Sequence, residues 1–269
     1  MKEERKKIAI LGCGWLGLSL AKSLLSKGYE VKGSTTSESK LDVLKNAGIS
    51  PFQIQLEEHQ IIGNITDFLK ETDVLVIDIP PGLRREFSTS LEMTFVNKVK
   101  TLIPFIEKSG IQKVVFVSST SVYGDDFQIV EITEETQPNP DTESGKQLVI
   151  AETILQSNSY FKTTVIRFGG LLGDDRHPIK FFFFFLNVEN EDENVNRIER
   201  KDCIGVIEKA LDFARDDNWE WNQTFNAVAP QHPTRKAYYH KKAEIFNLPL
   251  PTFAEDSKSK GKIISSKKV

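Results

Sequence analysis

The chain has 269 residues, of which 39% are hydrophobic and 27% charged, and its net charge is −3. This length allows one large domain, or a core domain with a smaller appendage. A mildly acidic chain lacks the overall positive charge that attracts nucleic acid or an anionic membrane, so neither is expected as a partner. No metal is expected, because the four histidines lack metal-ligand spacing: His59, His177, His232 and His240.

Cysteine usage and apolar runs bear on the compartment. The two cysteines are Cys13 and Cys203, and no signal-like segment follows Met1. This pattern is typical of a reduced cytoplasmic protein without a disulfide between them. The longest apolar run, 181–186, is far shorter than the ~20 residues that span a bilayer. We interpret it as a packed segment that lines the substrate side.

Apolar strands alternate with amphipathic helices through residues 1–168. Such alternation predicts an α/β Rossmann fold, a doubly wound parallel sheet with helices on both faces. Strands are predicted at 7–11, 29–34, 52–56, 73–79, 113–118 and 163–167, and later helices at about 86–108 and 143–157. Residues 169–269 alternate less clearly, with a helix near 202–215, a strand at 224–228 and a helix near 234–246. They are predicted to form a smaller substrate-side lobe that partly shares the sheet.

A glycine turn follows the first strand, with Gly12, Gly14 and Gly17 in the pattern G-x-G-x-x-G before a helix. The first glycine permits a tight turn, the second lets the backbone approach a pyrophosphate, and the third allows close helix packing. Because a strand precedes this pattern and a helix follows it, we predict a dinucleotide cofactor. The predicted contacts in the turn are Gly12, Cys13, Gly14, Trp15, Leu16 and Gly17.

The end of the second strand bears on the choice of dinucleotide. A free ribose 2′-OH usually meets an acidic residue there, but no carboxylate occurs before Glu38. A cluster of hydroxyls suits a 2′-phosphate, which favours NADP over NAD, although the same residues could simply cap the next helix. The candidates are Ser34, Thr35, Thr36 and Ser37. Residues after two later strands are also predicted to lie at the cofactor: Pro80, Pro81, Gly82 and Ser118.

Residues 114–124 read Val-Val-Phe-Val-Ser-Ser-Thr-Ser-Val-Tyr-Gly. Together with the glycine turn, this segment resembles the extended short-chain dehydrogenase/reductase family, which includes NAD-dependent epimerases, dehydratases and sugar-nucleotide reductases. The resemblance implies hydride transfer between a nicotinamide and a carbon that bears oxygen. In that family a Tyr is the acid/base, a Lys four residues later lowers the pKa of that Tyr, and a Ser or Thr orients the substrate oxygen. The resemblance also implies a homodimer formed through the long helices.

The resemblance breaks at the usual Tyr and Lys. The orienting hydroxyl corresponds to Ser119, but the alignment of Glu152 with the family's Glu places Ser144 at the Tyr position and Leu148 at the Lys position. A serine hydroxyl is far less acidic than a phenol, and a leucine carries no charge. Gly170 stands where the family often has a sugar-contacting Asn. The pattern therefore resembles an atypical branch with a non-standard active site.

Several residues have two interpretations. Ser119 could take part in catalysis, or it could bond only to the nicotinamide amide or to its own strand end. Tyr123 could be the proton donor or could pack against the 143–157 helix. Arg176 and His177 form either a solvated loop pair or an anion or acid site. The Lys-rich end of the chain, with Lys262, Lys267 and Lys268, is interpreted as a solvated tail.

Two functions are compatible with these patterns. One is an NAD(P)-dependent oxidoreductase or epimerase-like enzyme that acts on a small polar or sugar-derived substrate. Ser119, Tyr123 or a substrate-bound water would then take part in its acid/base step. The other is a non-catalytic sensor that binds NADP(H) and reports on it through a partner.

Overall fold

A computed structural model describes residues 6–82, 93–179, 188–213, 221–254 and 260–269 of the chain. The strands are β1 Lys7–Leu11, β2 Glu30–Thr35, β3 Ser50–Gln53, β4 Gln55–Leu56, β5 Ile61–Ile62, β6 Val74–Ile77, β7 Lys113–Ser119, β8 Glu131–Ile132, β9 Lys162–Phe168, β10 Gly170–Leu172, β11 Arg197–Glu199, β12 Thr224–Ala227 and β13 Ile263–Ile264. The α-helices are α1 Trp15–Ser26, α2 Leu41–Asn46, α3 Ile65–Leu69, α4 Thr94–Ser109, α5 Glu143–Gln156, α6 Arg200–Phe213 and α7 Arg235–Ile245. None of these helices combines the length and apolarity that crossing a bilayer requires.

Seven parallel strands form the central sheet, in the order β12-β9-β7-β6-β1-β2-β3. The order runs outward in both directions from β1 and β6, which pair with each other from Ile8 with Val74 to Leu11 with Ile77. This doubly wound topology confirms the predicted Rossmann fold. Ligands of such sheets bind beyond the carboxyl ends of the strands where the order reverses. The site is therefore expected past Leu11 and Ile77.

Each face of the sheet has its own apolar core because side chains of a strand alternate between faces. Ile8 and Ile10 of β1 pack with Leu20 of α1, in a cluster that also includes α6. Ala9 and Leu11 belong to the opposite cluster, which contains residues of α4 and α5. Burial on both faces explains why the central strands are almost continuously apolar.

Two predicted elements differ in the structure. The strand predicted at 52–56 is shorter, since β3 ends at Gln53 and residues from Gln55 form the small antiparallel pair of β4 and β5. The N–H of Ile54 still donates to the carbonyl of Thr35, so the chain turns away at that point. Helix α4 begins at Thr94, and the earlier part of the predicted 86–108 helix lies outside the described residues, as does the 181–186 run.

The carboxyl-terminal segment is only partly a solvated tail. The side chains of Lys267 and Lys268 are exposed, but residues 261–265 are buried or half-buried, so that interpretation was wrong for Lys262. Strand β13 pairs with β8, and the side chain of Lys262 is only 14% exposed. Its Nζ donates to the carbonyl of Tyr123 and lies 3.0 Å from a carboxylate oxygen of Asp125. Ile263 and Ile264 form the strand that holds this segment against β8. This apolar pair could have predicted the packing, but the interpretation as a tail rested on the lysines alone.

Candidate functional site

The glycine turn between β1 and α1 is built from three glycines with different roles. Gly12 has a φ of +108°, and a Cβ there would lie 2.3 Å from the carbonyl oxygen of Asp78. A Cβ on Gly17 would lie 2.3 Å from the carbonyl oxygen of Gly12. A Cβ on Gly14 would meet no atom within 4 Å. The outer glycines therefore allow close packing, while the middle one leaves open space above the turn.

Helix α1 begins beside that open space without a side-chain cap, and its first turn contains no acidic residue. The first N–H groups of a helix lack partners inside the helix and carry a partial positive charge. An uncapped helix start beside a glycine with free space fits the diphosphate of a dinucleotide.

The residues between the glycines contact the core rather than the open space. The side chains of Cys13 and Leu16 are 5% and 3% exposed. Burial raises the pKa of the Cys13 thiol to about 12, so this cysteine is a neutral packing residue. A ligand at the turn can therefore meet Cys13 and Leu16 only through their backbone.

The hydroxyls at the end of β2 divide into two groups. Ser34 supports the turn, because its Oγ accepts from the N–H of Gly12 at 3.0 Å. The N–H of Cys13 donates to the carbonyl of Ser34 at 2.7 Å. Thr35 Oγ1 accepts a hydrogen bond from the N–H of Ser37 within the loop. The helical segments that follow have no side-chain cap, so the interpretation of these hydroxyls as a helix cap was wrong. Thr36 is exposed and lines a cavity.

This cavity has a volume of about 870 Å³ and lies over the carboxyl ends of β1 and β2. Its size is that of a ligand site. Besides Gly12, Thr36 and Pro80, it is lined by residues that sequence reasoning missed, in the β4–β5 hairpin and on α4. They include Gln55, Leu56, Glu57, Glu58, His59, Gln60, Phe95 and Lys98. The short hairpin has no periodic pattern that would have identified it.

Asp78 is the second feature that sequence reasoning missed. It follows β6, is half-buried, and accepts a hydrogen bond from the N–H of Gly17. Burial raises the pKa of its carboxyl to about 7, and the Gly17 N–H only partly opposes that shift. The sequence could have indicated this residue, because Asp78 directly follows a buried strand whose end lies beside the glycine turn.

Replacement of Asp78 by Asn is expected to stabilise the protein in a pH-dependent way. The folded-state pKa of about 7 lies above the ordinary 3.8, so the folded state binds the proton more tightly than the unfolded state does. Ionisation of Asp78 therefore costs stability, a cost that is complete above about pH 7 and absent below about pH 4. Asp78→Asn should melt at a higher temperature than wild type at pH 8, and the gap should narrow towards pH 5.

Melting curves between pH 5 and pH 8.5 test this expectation. Asp42→Asn is the matched control, because Asp42 is an exposed carboxylate on α2. A gap between Asp78→Asn and wild type that is the same at every pH would contradict the argument.

The end of β7 holds a buried polar network. Ser118 Oγ donates to Glu152, and Glu152 pairs with Arg167 at 2.5 Å. The side chains of Arg167 and Glu152 are 7% and 3% exposed. Ser118 is predicted to contact the cofactor. In the structure its hydroxyl donates to Glu152, within this network beneath the site.

Tyr123 belongs to the same network. Arg167 Nη1 donates to the Tyr123 hydroxyl at 2.6 Å, and that hydroxyl also contacts Asn226 Oδ1 and the carbonyl of Thr133. The residue is 2% exposed, and burial raises the pKa of its phenol against the opposing effect of Arg167. A buried phenol held by these partners favours the packing interpretation of Tyr123 over its role as a proton donor.

Ser119, in contrast, is half-buried at the carboxyl edge of the sheet. Its Oγ accepts from the N–H of Ser121 at 3.2 Å, which leaves the hydroxyl proton available for donation. Ser144 is half-buried in the first turn of α5, while Leu148 is 2% exposed in the core. Lys146 is exposed and lies 3.8 Å from a carboxylate oxygen of Glu143. Ser144 thus presents a small hydroxyl in the first turn of α5, and Leu148 is a packing residue.

The loop after β10 separates its two candidate residues. Arg176 is exposed, whereas His177 is buried, with an exposed fraction of 5%. The His177 ring stacks on the ring of Tyr238, and the two ring centroids lie 6.2 Å apart. The solvated-pair interpretation was therefore wrong for His177, because α7 covers it. Across the described residues, no group of three His, Cys, Asp or Glu side chains could hold a metal ion.

The sheet order, the open glycine turn and the cavity beside it define a dinucleotide-binding Rossmann protein. The model of the NAD dependent epimerase/dehydratase family matches residues 8–192, and the chain belongs to this family. A nicotinamide dinucleotide, NAD or NADP, is accordingly the cofactor of the fold, and the residues at the turn fit it.

Known proteins agree with this assignment. Protein YeeZ of Escherichia coli (strain K12) is 33% identical over 98% of this chain and 93% of its own length. UDP-glucuronic acid 4-epimerase from Bacillus cereus, solved in complex with NAD, has a TM-score of 0.78 at 16% identity, covering 97% of this chain and 88% of that chain. A putative NAD-dependent epimerase/dehydratase from Methylobacillus flagellatus has a TM-score of 0.72 at 23% identity, covering 98% and 90%. These structures share the fold.

Proposed function

We propose that the protein is an NAD(P)-dependent oxidoreductase or epimerase that acts on a small polar or sugar-derived substrate without a Tyr–Lys pair. The Ser119 hydroxyl carries this proposal. It stands half-buried at the carboxyl end of β7, held by the Ser121 N–H with its own proton free. A hydroxyl in that state can donate to the oxygen of a substrate carbonyl.

The nicotinamide of the bound cofactor supplies or accepts the hydride. The protein's part is to bind, orient and exchange a proton. The start of α1 holds the diphosphate, and Ser119 orients the substrate oxygen and stabilises negative charge that develops on it. Neither the Ser144 hydroxyl nor water has the acidity of a phenol. In this proposal the Ser119 hydroxyl stabilises the charge on the substrate oxygen, and the proton is exchanged with solvent through a substrate-bound water.

Cofactor choice rests on the cavity beyond β2. Thr36 and Ser37 can donate hydrogen bonds to a 2′-phosphate, and Lys98 contributes a positive charge to the cavity wall. Glu57 and Glu58 line the same cavity and oppose an additional phosphate. The missing carboxylate at the end of β2 leads us to favour NADP. Fluorescence titration with NADPH and NADH measures this preference directly, and tighter binding of NADH would contradict it.

Ser119→Ala is expected to lower kcat/KM about a hundredfold, the usual cost of losing one donor to a developing oxyanion. The dissociation constant for NAD(P)H should stay at the wild-type value. The measurement is hydride transfer at the nicotinamide absorbance, with carbonyl compounds and sugar nucleotides as the screened substrates.

Ser144→Ala is the matched control, because it removes a hydroxyl from the position of the missing Tyr. It should retain wild-type kcat/KM. If Ser144→Ala lost activity and Ser119→Ala kept it, the proposed orienting role would belong to Ser144 instead.

A non-catalytic NADP(H) sensor is the second candidate, and the buried Leu148 favours it. At the position of the family's Lys, this side chain is part of the core and contributes no charge. Tight NADPH binding by the wild type, with no turnover across the substrate screen, would favour the sensor over the enzyme.

A further inference from the structure

The indole of Trp15 meets two arginines from distant parts of the chain. Trp15 is the first residue of α1, directly after Gly14. The guanidinium of Arg200, at the start of α6, lies 4.5 Å from the centre of the indole ring system. The guanidinium of Arg176, from the loop after β10, lies 5.3 Å from it. Both distances are those of cation–π contacts.

The two arginines differ in their partners. Arg200 Nη1 pairs with Asp175 at 3.2 Å, and Asp175 also accepts from Trp15 Nε1 at 3.0 Å. These contacts hold the pKa of Asp175 below its usual range, so Arg200 has a permanent counter-ion. For Arg176 the contacts within the described part of the chain include no carboxylate, and its side chain is exposed. The charge of Arg200 is therefore balanced by a carboxylate, while that of Arg176 is not balanced by any carboxylate in the described part of the chain.

The loop that carries Arg176 is seated on the indole. A Cβ on Gly173 would lie 2.6 Å from Trp15 Cζ2, so only glycine permits this approach. The N–H of Arg176 donates to the carbonyl of Gly173 at 2.9 Å, which closes the loop as a tight turn. The position of Arg176 is therefore fixed relative to the first turn of α1.

We propose that Arg176 is a further cofactor-binding residue, which clamps the diphosphate of the dinucleotide from the side opposite to the glycine turn. This inference rests on the cofactor part of the proposed function. Trp15 supplies one of the N–H groups at the helix start, and its side chain holds the unneutralised guanidinium next to the same place. Guanidinium pairs with phosphate oxygens through two parallel N–H donors, so the clamp adds contacts that the backbone alone lacks.

The test is isothermal titration of wild type and Arg176→Ala with two probes, NADPH and ADP-ribose. Both contain the diphosphate, and ADP-ribose lacks the nicotinamide. Arg176→Ala is expected to weaken both by about tenfold, the loss of one charge-assisted contact. Arg176→Lys keeps the charge but not the paired donors, so its affinity for each probe should lie between those of wild type and Arg176→Ala.

Lys22→Ala is the matched control. Lys22 is an exposed cation on the same helix, away from the turn, and its removal should leave both affinities unchanged. Unchanged affinities for Arg176→Ala would overturn the inference, even if the melting temperature fell. A loss confined to NADPH would also overturn it, because Arg176 would then contact the nicotinamide or the 2′-phosphate, both of which ADP-ribose lacks. If the wild type bound neither probe, the cofactor site itself would fail, and this inference with it.

Discussion

Gly14→Ala is expected to weaken dinucleotide binding strongly while the protein stays folded. The added Cβ meets no protein atom within 4 Å, and Gly14 has a φ of −79°, so its backbone is not in the left-handed region. The same Cβ occupies the space through which the diphosphate approaches the start of α1. Loss of about two charge-assisted hydrogen bonds corresponds to a weakening of about a hundredfold or more.

Fluorescence titration with NADPH, together with a melting curve, separates binding from folding. Gly17→Ala is the contrasting variant, because its Cβ would lie 2.3 Å from a backbone oxygen. Overpacking of that kind costs about 1–3 kcal/mol or more, so Gly17→Ala should melt at a lower temperature. Normal NADPH affinity in Gly14→Ala would show that the diphosphate does not bind at this turn.

Arg167→Met is expected to destabilise the protein by about 3–5 kcal/mol, the cost of leaving one partner of a buried ion pair uncompensated. Glu152 would remain 3% exposed without its counter-ion, and the Tyr123 hydroxyl would lose the donor at 2.6 Å. Urea unfolding at pH 7 measures the change. Lys267→Met removes one partner of an exposed pair, with side chains 83% and 50% exposed, and should change the free energy of unfolding far less than Arg167→Met does.

The double variant Arg167→Met/Glu152→Gln isolates the cause. If the unpaired charge explains the loss, neutralising Glu152 should restore part of the stability. A double variant less stable than Arg167→Met would show that packing, rather than the stranded charge, dominates. Dinucleotide binding by the folded fraction should be unaffected, since these side chains lie beneath the site.

The fold and the cofactor turn were predictable because their signals are local. Alternation of apolar strands with helices, and three glycines in an eleven-residue segment, depend only on residues close in the chain. The role of Ser119 and the replacement of the family's Tyr and Lys were also inferred from spacing, and both stay predictions. The homodimer implied by the resemblance stays a prediction, since it concerns contacts between two copies.

The chain's own pattern determined the doubly wound sheet and the glycine turn. Only the tertiary structure decided which of the candidate side chains are exposed at the site. It placed Asp78 against Gly17, committed Tyr123 to Arg167, and covered His177 with α7. The reason is physical: burial and partners come from segments far apart in sequence, and these set whether a hydroxyl, a carboxyl or an imidazole can meet a ligand.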